Sequence, residues 1–200
     1  MPVRTLILAS GSPARLKLLH DAGIDPVVVV SGAPEDDVDP DDIPGSAMRL
    51  AARKADAVAR IDGGDLVLGC DSILEFDGRP HGKPDSVEQA RTWLTAMRGQ
   101  AGMLHTGHCL IDEATQKRAV AVVSTTVRFG ITTDTELDAY LATPDALAVA
   151  GAFTLDGRSA PFVDGIVGDH GNVIGLSLPA LRSLLADLGI TITDLWRDAA

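Results

Sequence analysis

The stretch Arg4–Gly23, RTLILASGSPARLKLLHDAG, decides the fold. Arg4 to Ala9 is a nearly continuous apolar run of the length of a buried strand. It stops at Ser10-Gly11-Ser12-Pro13, where a serine stands ahead of a proline suited to the first helical turn. From Pro13 onward Leu16, Leu19 and Ala22 recur on one face until Gly23. Strand, tight turn and helix in that order open an α/β chain.

Working outward, Pro26–Val30 reads as a second strand and Ala33–Asp42, APEDDVDPDD, as an exposed acidic loop. A helix is expected over Ile43–Ile61, with Met48, Ala51, Ala52, Ala55 and Val58 roughly in phase. Asp65–Asp71 is a buried-type strand that continues through Ile73–Phe76 to the tight turn Asp77-Gly78. Ser86 caps a helix that runs to Met97 and ends at Gly99. Met103–Ile111 and Arg118–Phe129, joined by the polar turn Asp112–Lys117, form an antiparallel hairpin. Thr133 starts a helix over Asp134–Ala142 that Pro144 closes. Ala150–Gly175, rich in glycine, reads as irregular strands and loops, and Ser177 with Pro179 opens a last helix to Leu188. Helices alternate with strands early while hairpins dominate the middle, so a mixed sheet is expected rather than a purely parallel one.

The whole chain has 200 residues, 46% of them hydrophobic, which is material for one domain with a sizeable core. Seventeen basic residues against 28 acidic ones leave a net charge of −11. That balance opposes nucleic-acid polymers and anionic membranes, both of which are recognised through cationic contacts. A small anion in a locally basic pocket stays compatible with it. Cys70 and Cys109 lack Cys-x-x-Cys spacing and read as buried thiols. The apolar run at Leu6–Ala9 is too short for a secretory core. The expectation is a soluble, cytoplasmic protein.

No G-x-x-x-x-G-K-S/T and no strand-linked G-x-G-x-x-G is present. His105 and His108, three apart on an expected strand, would point to opposite faces, which argues against a zinc site. Three places have unusual chemistry. At Ser10–Arg15 a helix N-terminus, two hydroxyls and a guanidinium converge into an anion site, or merely form a capped helix beside a surface arginine. Asp71, after the apolar Leu66–Gly69 run at the carboxyl end of a strand, either holds a metal or takes a proton, or caps a turn. Lys83, between Gly82 and Pro84, suits a phosphate contact, while Arg53 and Lys54 read first as a solvated helix face.

Together and in order, these pieces resemble the Maf family of nucleoside triphosphate pyrophosphatases. The matching segments are LILASGSPARLKLL at 6–19, Glu35, Ala51-Ala52-Arg53-Lys54-Ala55, GCDS at 69–72 and GKP at 82–84. HTG at 105–107, the Thr132–Tyr140 helix opening, AGAF at 150–153 and NVIGLSL at 172–178 complete the set. The resemblance implies an elongated mixed sheet with flanking helices, two lobes around a cleft as in inosine triphosphate pyrophosphatases, and often a homodimer. It implies hydrolysis of a nucleoside triphosphate between the α and β phosphates with a divalent metal, Mg²⁺ or Mn²⁺. By motif, Asp71 is the proton acceptor; Ser10, Ser12, Arg15, Lys54 and Lys83 face phosphate; Glu35 and Asp71 form the metal side.

The departures fall on specificity positions. The family branch acting on dTTP and UTP has Ser-Pro-Arg-Arg, Asp-Thr and Lys-Ala-Gly…Gln-Gly, where this chain has Ala14, Ser72, Val149 and Asp156. The branch acting on 7-methyl-GTP has Ser-Pro-Tyr-Arg and an acidic residue before the glycine, matched here only at Arg15 and Asp156. A non-canonical or modified nucleotide is one substrate class these positions admit. The substitutions at 14 and 149 also motivate an alternative, a nucleotide-binding regulator of septum formation with little catalysis. A phosphatase removing terminal phosphates is a third reading, separated from the first by its product.

Overall fold

A computed structural model describes residues 4–60 and 65–196 of the chain. Its centre is a seven-stranded mixed sheet in the order β2-β1-β3-β5-β6-β7, with a short β4 beside β3. The strands are β1 (Leu6–Leu8), β2 (Val27–Val28), β3 (Leu66–Phe76), β4 (Arg79–His81), β5 (Ala101–Asp112), β6 (Lys117–Phe129) and β7 (Val163–Val167). β1 pairs in parallel with β2 and β3, and every other pairing is antiparallel. The helices are α1 (Pro13–Asp21), α2 (Ile43–Asp56), α3 (Val87–Met97), α4 (Asp134–Leu141), α5 (His170–Ile174) and α6 (Leu178–Asp187).

The opening strand–turn–helix is present, with Ser12 capping α1 and Pro13 in its first turn. The expected hairpin is β5–β6, in register from Ala101↔Arg128 to Asp112↔Lys117. Two boundaries differ. β2 is only two residues long, Val27 and Val28, both exposed at the edge of the sheet. α2 ends at Asp56, with Ala57 as its C-cap; Ile61, where its end was expected, lies outside the described residues. β3 runs unbroken to Phe76, as the continuation through Ile73–Phe76 leads one to expect, and Asp71 therefore sits in its middle rather than at a carboxyl end. Its backbone stays extended there because β5 pairs with it throughout, Asp71 opposite Gly107. The glycine-rich stretch 150–175 contains β7 and α5 among short turns.

Alternation along β3 sends its side chains into two layers. Leu66, Leu68 and Cys70 face α1 and α6, packing with Leu19, Leu181, Leu184 and Leu185. Val67 faces α2, packing with Ala51, Ala55 and Cys109. Farther along the sheet, α3 and α4 build a second core with Leu74, Leu104, Phe129 and Phe153. No helix among the described residues is long and apolar enough to cross a membrane.

α2 lies unusually close to the sheet. A Cβ on Gly69 would come within 2.2 Å of the Ala51 carbonyl oxygen, and one on Gly107 within 2.2 Å of the Ala47 carbonyl oxygen. Both obstacles are helix backbone, so relief requires moving the helix. Gly107→Ala should therefore cost about 1–3 kcal/mol of stability, the usual range for overpacking. Urea unfolding followed by circular dichroism measures it; an unchanged midpoint would contradict this packing.

Candidate functional site

β1 ends at Leu8, and β4 does not begin to pair with β3 until Leu74. Between these points residues 69–73 of β3 have no strand beside them on that edge among the described residues. The gap opens into a cleft of about 970 Å³. Because it lies at a strand edge, side chains from both faces of β3 reach it: Asp71 from the α2 face, Ser72 from the opposite one. Main-chain groups reach it too. Leu66 N donates to Thr5 O and Ala9 N donates to Leu68 O, so even-numbered residues turn their polar backbone atoms toward β1. By alternation Ser72, which lines the cleft, turns its own toward the gap.

On the α2 face, Lys54 is buried and its Nζ lies 2.5 Å from Asp71 Oδ1 and 2.6 Å from Glu35 Oε1. The expected solvated helix face is corrected: Arg53 is half-buried and ties Pro34 O and Asp37 of the acidic loop, and Lys54 points inward. The close contact at Gly69 and Gly107 puts its stem against the sheet. Glu35 spans two lysines, its Oε2 standing 3.4 Å from Lys83 Nζ. Partial burial pushes the Glu35 carboxyl up, but the hydrogen bonds and charges of Lys54 and Lys83 outweigh it and hold the group below its ordinary value.

Across the strand, Arg15 is buried at the start of α1. Its Nε donates to Gly175 O at 2.7 Å, Nη1 to Ser10 Oγ at 3.1 Å and Nη2 to Ser72 Oγ at 3.1 Å. Ser12 accepts from Arg15 N as helix cap, so its hydroxyl serves the helix first. Ser10, Ser12, Ala14, Arg15, Glu35, Lys54, Asp71, Ser72 and Lys83 all line the one cleft. Asp156 does not line it: the side chain is exposed and accepts a hydrogen bond from Thr154, which does line it.

The two histidines occupy opposite faces of β5. His105 hydrogen-bonds Ser124 and Glu75 on the α2 side, whereas the His108 Nε2 accepts from Ser177 N on the α6 side. Both cysteines are buried and unpaired. Burial pushes the Cys70 thiol up to about 12 and Cys109 up to about 11, which leaves neither suited to nucleophilic work. Reading the sequence missed Gly175, Thr154 and His108. No pattern marks a carbonyl acceptor such as that of Gly175. Lys54 did carry a signal, since it falls three and four residues after the apolar Ala51 and Leu50.

The cleft is thus divided: a carboxylate–lysine pair on one side, an arginine fork with free N–H groups on the other, and Lys83 at the rim. Arg15, Lys54 and Lys83 can meet a polyanion there, beside the carboxylates of Glu35, Asp36, Asp71 and Asp85 that line the same cleft. Residues 5–188 match the family model described as Maf-like protein. The chain is 55% identical over 197 residues to a nucleoside triphosphate pyrophosphatase of Streptomyces avermitilis, covering 98% of this chain and 96% of that protein. It is 56% identical over 200 residues to the protein of that name in Streptomyces coelicolor, covering 99% and 97%. A Mycobacterium tuberculosis protein of the same name is 46% identical over 207 residues, covering 96% and 93%.

Burial, and next the charge of Arg15, push His108 from 6.5 down to about 4, against the opposing charge of Asp169. The unfolded chain therefore binds this proton at higher pH than the folded one. Stability should fall as pH drops from 6.5 toward 4, by up to about 1.4 kcal/mol per pH unit from this group. His108→Gln should flatten that part of the curve in urea titrations at several pH values; an equal slope in both proteins would exclude His108 as its source.

Proposed function

The chain belongs to the Maf family, and we propose that it hydrolyses nucleoside triphosphates between the α and β phosphates, releasing a monophosphate and pyrophosphate. The observation that carries this reading is the placement of Asp71. Its carboxylate stands in the cleft against Lys54, with Arg15 and Lys83 bordering the same space.

The chemistry follows from those groups. Water attacks the α-phosphorus, the bond from that phosphorus to the bridging oxygen breaks, and the electron pair leaves with pyrophosphate. Asp71 takes the proton of the attacking water. Lys54 holds the carboxylate in place and offsets part of the charge brought beside it. Arg15 offers paired N–H donors to phosphate oxygens and Lys83 a compact positive charge, both stabilising the departing pyrophosphate. Ser10 and Ser72 fix the fork of Arg15 rather than acting alone.

Glu35 and Asp71 would hold a divalent cation, Mg²⁺ or Mn²⁺. Two carboxylates completed by phosphate oxygens are a donor set such hard ions accept, and a cationic ammonium already lies between these two. Bound there, the ion would neutralise charge on the incoming phosphates. For the base, Ala14 and Ser72 border the cleft while Asp156 acts on it only through Thr154. A non-canonical or modified nucleotide remains our reading of the substrate. The acidic outer surface supports action on free nucleotides in the cytoplasm rather than on polymers.

The purified protein, given a panel of nucleoside triphosphates with Mg²⁺ or Mn²⁺, should release pyrophosphate and monophosphate. Asp71→Asn should lower kcat by about 10²–10⁴-fold, the range for losing a general base. Orthophosphate as the only product would point to a terminal phosphatase. Tight binding without turnover on every base would favour the regulator of septum formation. Full activity in Asp71→Asn would remove the proton-acceptor role.

A further inference from the structure

Three acceptors hold the Arg15 guanidinium, and two of them, Ser72 and Gly175, are themselves fastened to β5. Ser72 Oγ, receiving from Nη2, passes its own proton to Thr106 Oγ1 at 2.9 Å, and Thr106 donates onward to Asn172 O at 3.0 Å. Asn172 is fully buried and its amide donates to Leu104 O and Thr125 Oγ1. The acceptor of Nε, Gly175 O, lies in the turn between α5 and α6. This turn is fastened to β5 on its other side by Ser177 N, which donates to His108 Nε2 at 3.0 Å. Ser177 in turn caps α6 through its hydroxyl, so its position is shared by the helix and the turn.

His108 is fully buried, on the same face of β5 as Thr106. Since Nε2 accepts, the ring proton sits on Nδ1. Burial and the charge of Arg15 keep the ring neutral throughout the usual assay range, so the acceptor persists. With Nε, one N–H of Nη1 and one of Nη2 committed, a single N–H on each Nη remains for phosphate, a fork of fixed direction. The direction depends on where Gly175 O stands.

We infer that His108 is a positioning residue for Arg15: by accepting from Ser177 N it sets the Gly175–Ser177 turn, and the Gly175 carbonyl then aims the guanidinium fork at the substrate's phosphates. The inference rests on the proposed contact between Arg15 and phosphate. It requires nothing of His108 toward the substrate itself.

A mutant cycle on the full chain tests it, with pyrophosphate release measured on the triphosphate that the wild type turns over best. His108→Leu removes the acceptor; His108→Gln retains one near the Nε2 position; His108→Asn is polar but too short to reach Ser177. His108→Leu and His108→Asn should each lower kcat/KM about tenfold, mainly through KM, as expected for one misplaced hydrogen-bonded contact. His108→Gln should recover to within about threefold of wild type. In an Arg15→Ala background His108→Leu should cause no further loss, because the ring acts through Arg15. A further tenfold loss in that background would overturn the inference, as would wild-type KM in both His108→Leu and His108→Asn. If Arg15→Ala alone leaves kcat/KM unchanged, the phosphate-contact reading of Arg15 fails first and the positioning role fails with it.

Discussion

The lysine–carboxylate half of the site depends on how near α2 comes to the sheet. Backbone meets backbone at Gly69 and Gly107, with no room for a side chain at either position. That distance converts Lys54 from a helix-surface lysine into a buried partner of Asp71. A buried ion pair is expensive to assemble and more expensive to break from one side, because the remaining charge is then left without compensation. The pair therefore demands rigid scaffolding. A long helix clamped by two glycines on adjacent strands supplies it, and Ala47, Ala51 and Ala55 keep the intervening layer thin.

The second requirement is access. A central strand normally offers a site only one of its faces, the other being sealed in the core. Here β1 is short and β4 begins late, so the edge of β3 is bare over a few residues and both faces open into one cleft. Asp71 with Lys54 and Ser72 with Arg15 are neighbours in sequence but belong to opposite layers. Glu35 and Lys83 come from loops flanking the opening and meet above it. The cleft is not the locally basic pocket that the sequence led one to expect: Arg15, Lys54 and Lys83 stand in it beside Glu35, Asp36, Asp71 and Asp85, so its cations are individually placed among carboxylates.

Much of this was legible in the residues. Ser12-Pro13 marked the strand-to-helix turn because capping chemistry is local, and β5–β6 was legible from its polar turn. The α/β mixed sheet followed from element order. What escaped was set by tertiary contact. Asp71 interrupts an apolar run and suggested a strand end, yet pairing with β5 carries the strand past it. Lys54 lies in phase with the apolar stripe of α2, but its charge suggests solvent, and its burial is explained by the carboxylates of Asp71 and Glu35 that meet it. Asp156 follows the family pattern by position while standing outside the cleft wall, linked to it by Thr154. Neither the Gly175 carbonyl nor the fastening of its turn by His108 has any local sign.

The bare edge of β3 has a genetic consequence. The amide and carbonyl of Ser72 that turn toward the gap belong to the main chain, so no codon change short of proline at that position deletes the donor. Lysines and arginines around the cleft can drift and be replaced over generations. The polar lining offered by the strand itself is inherited with the fold.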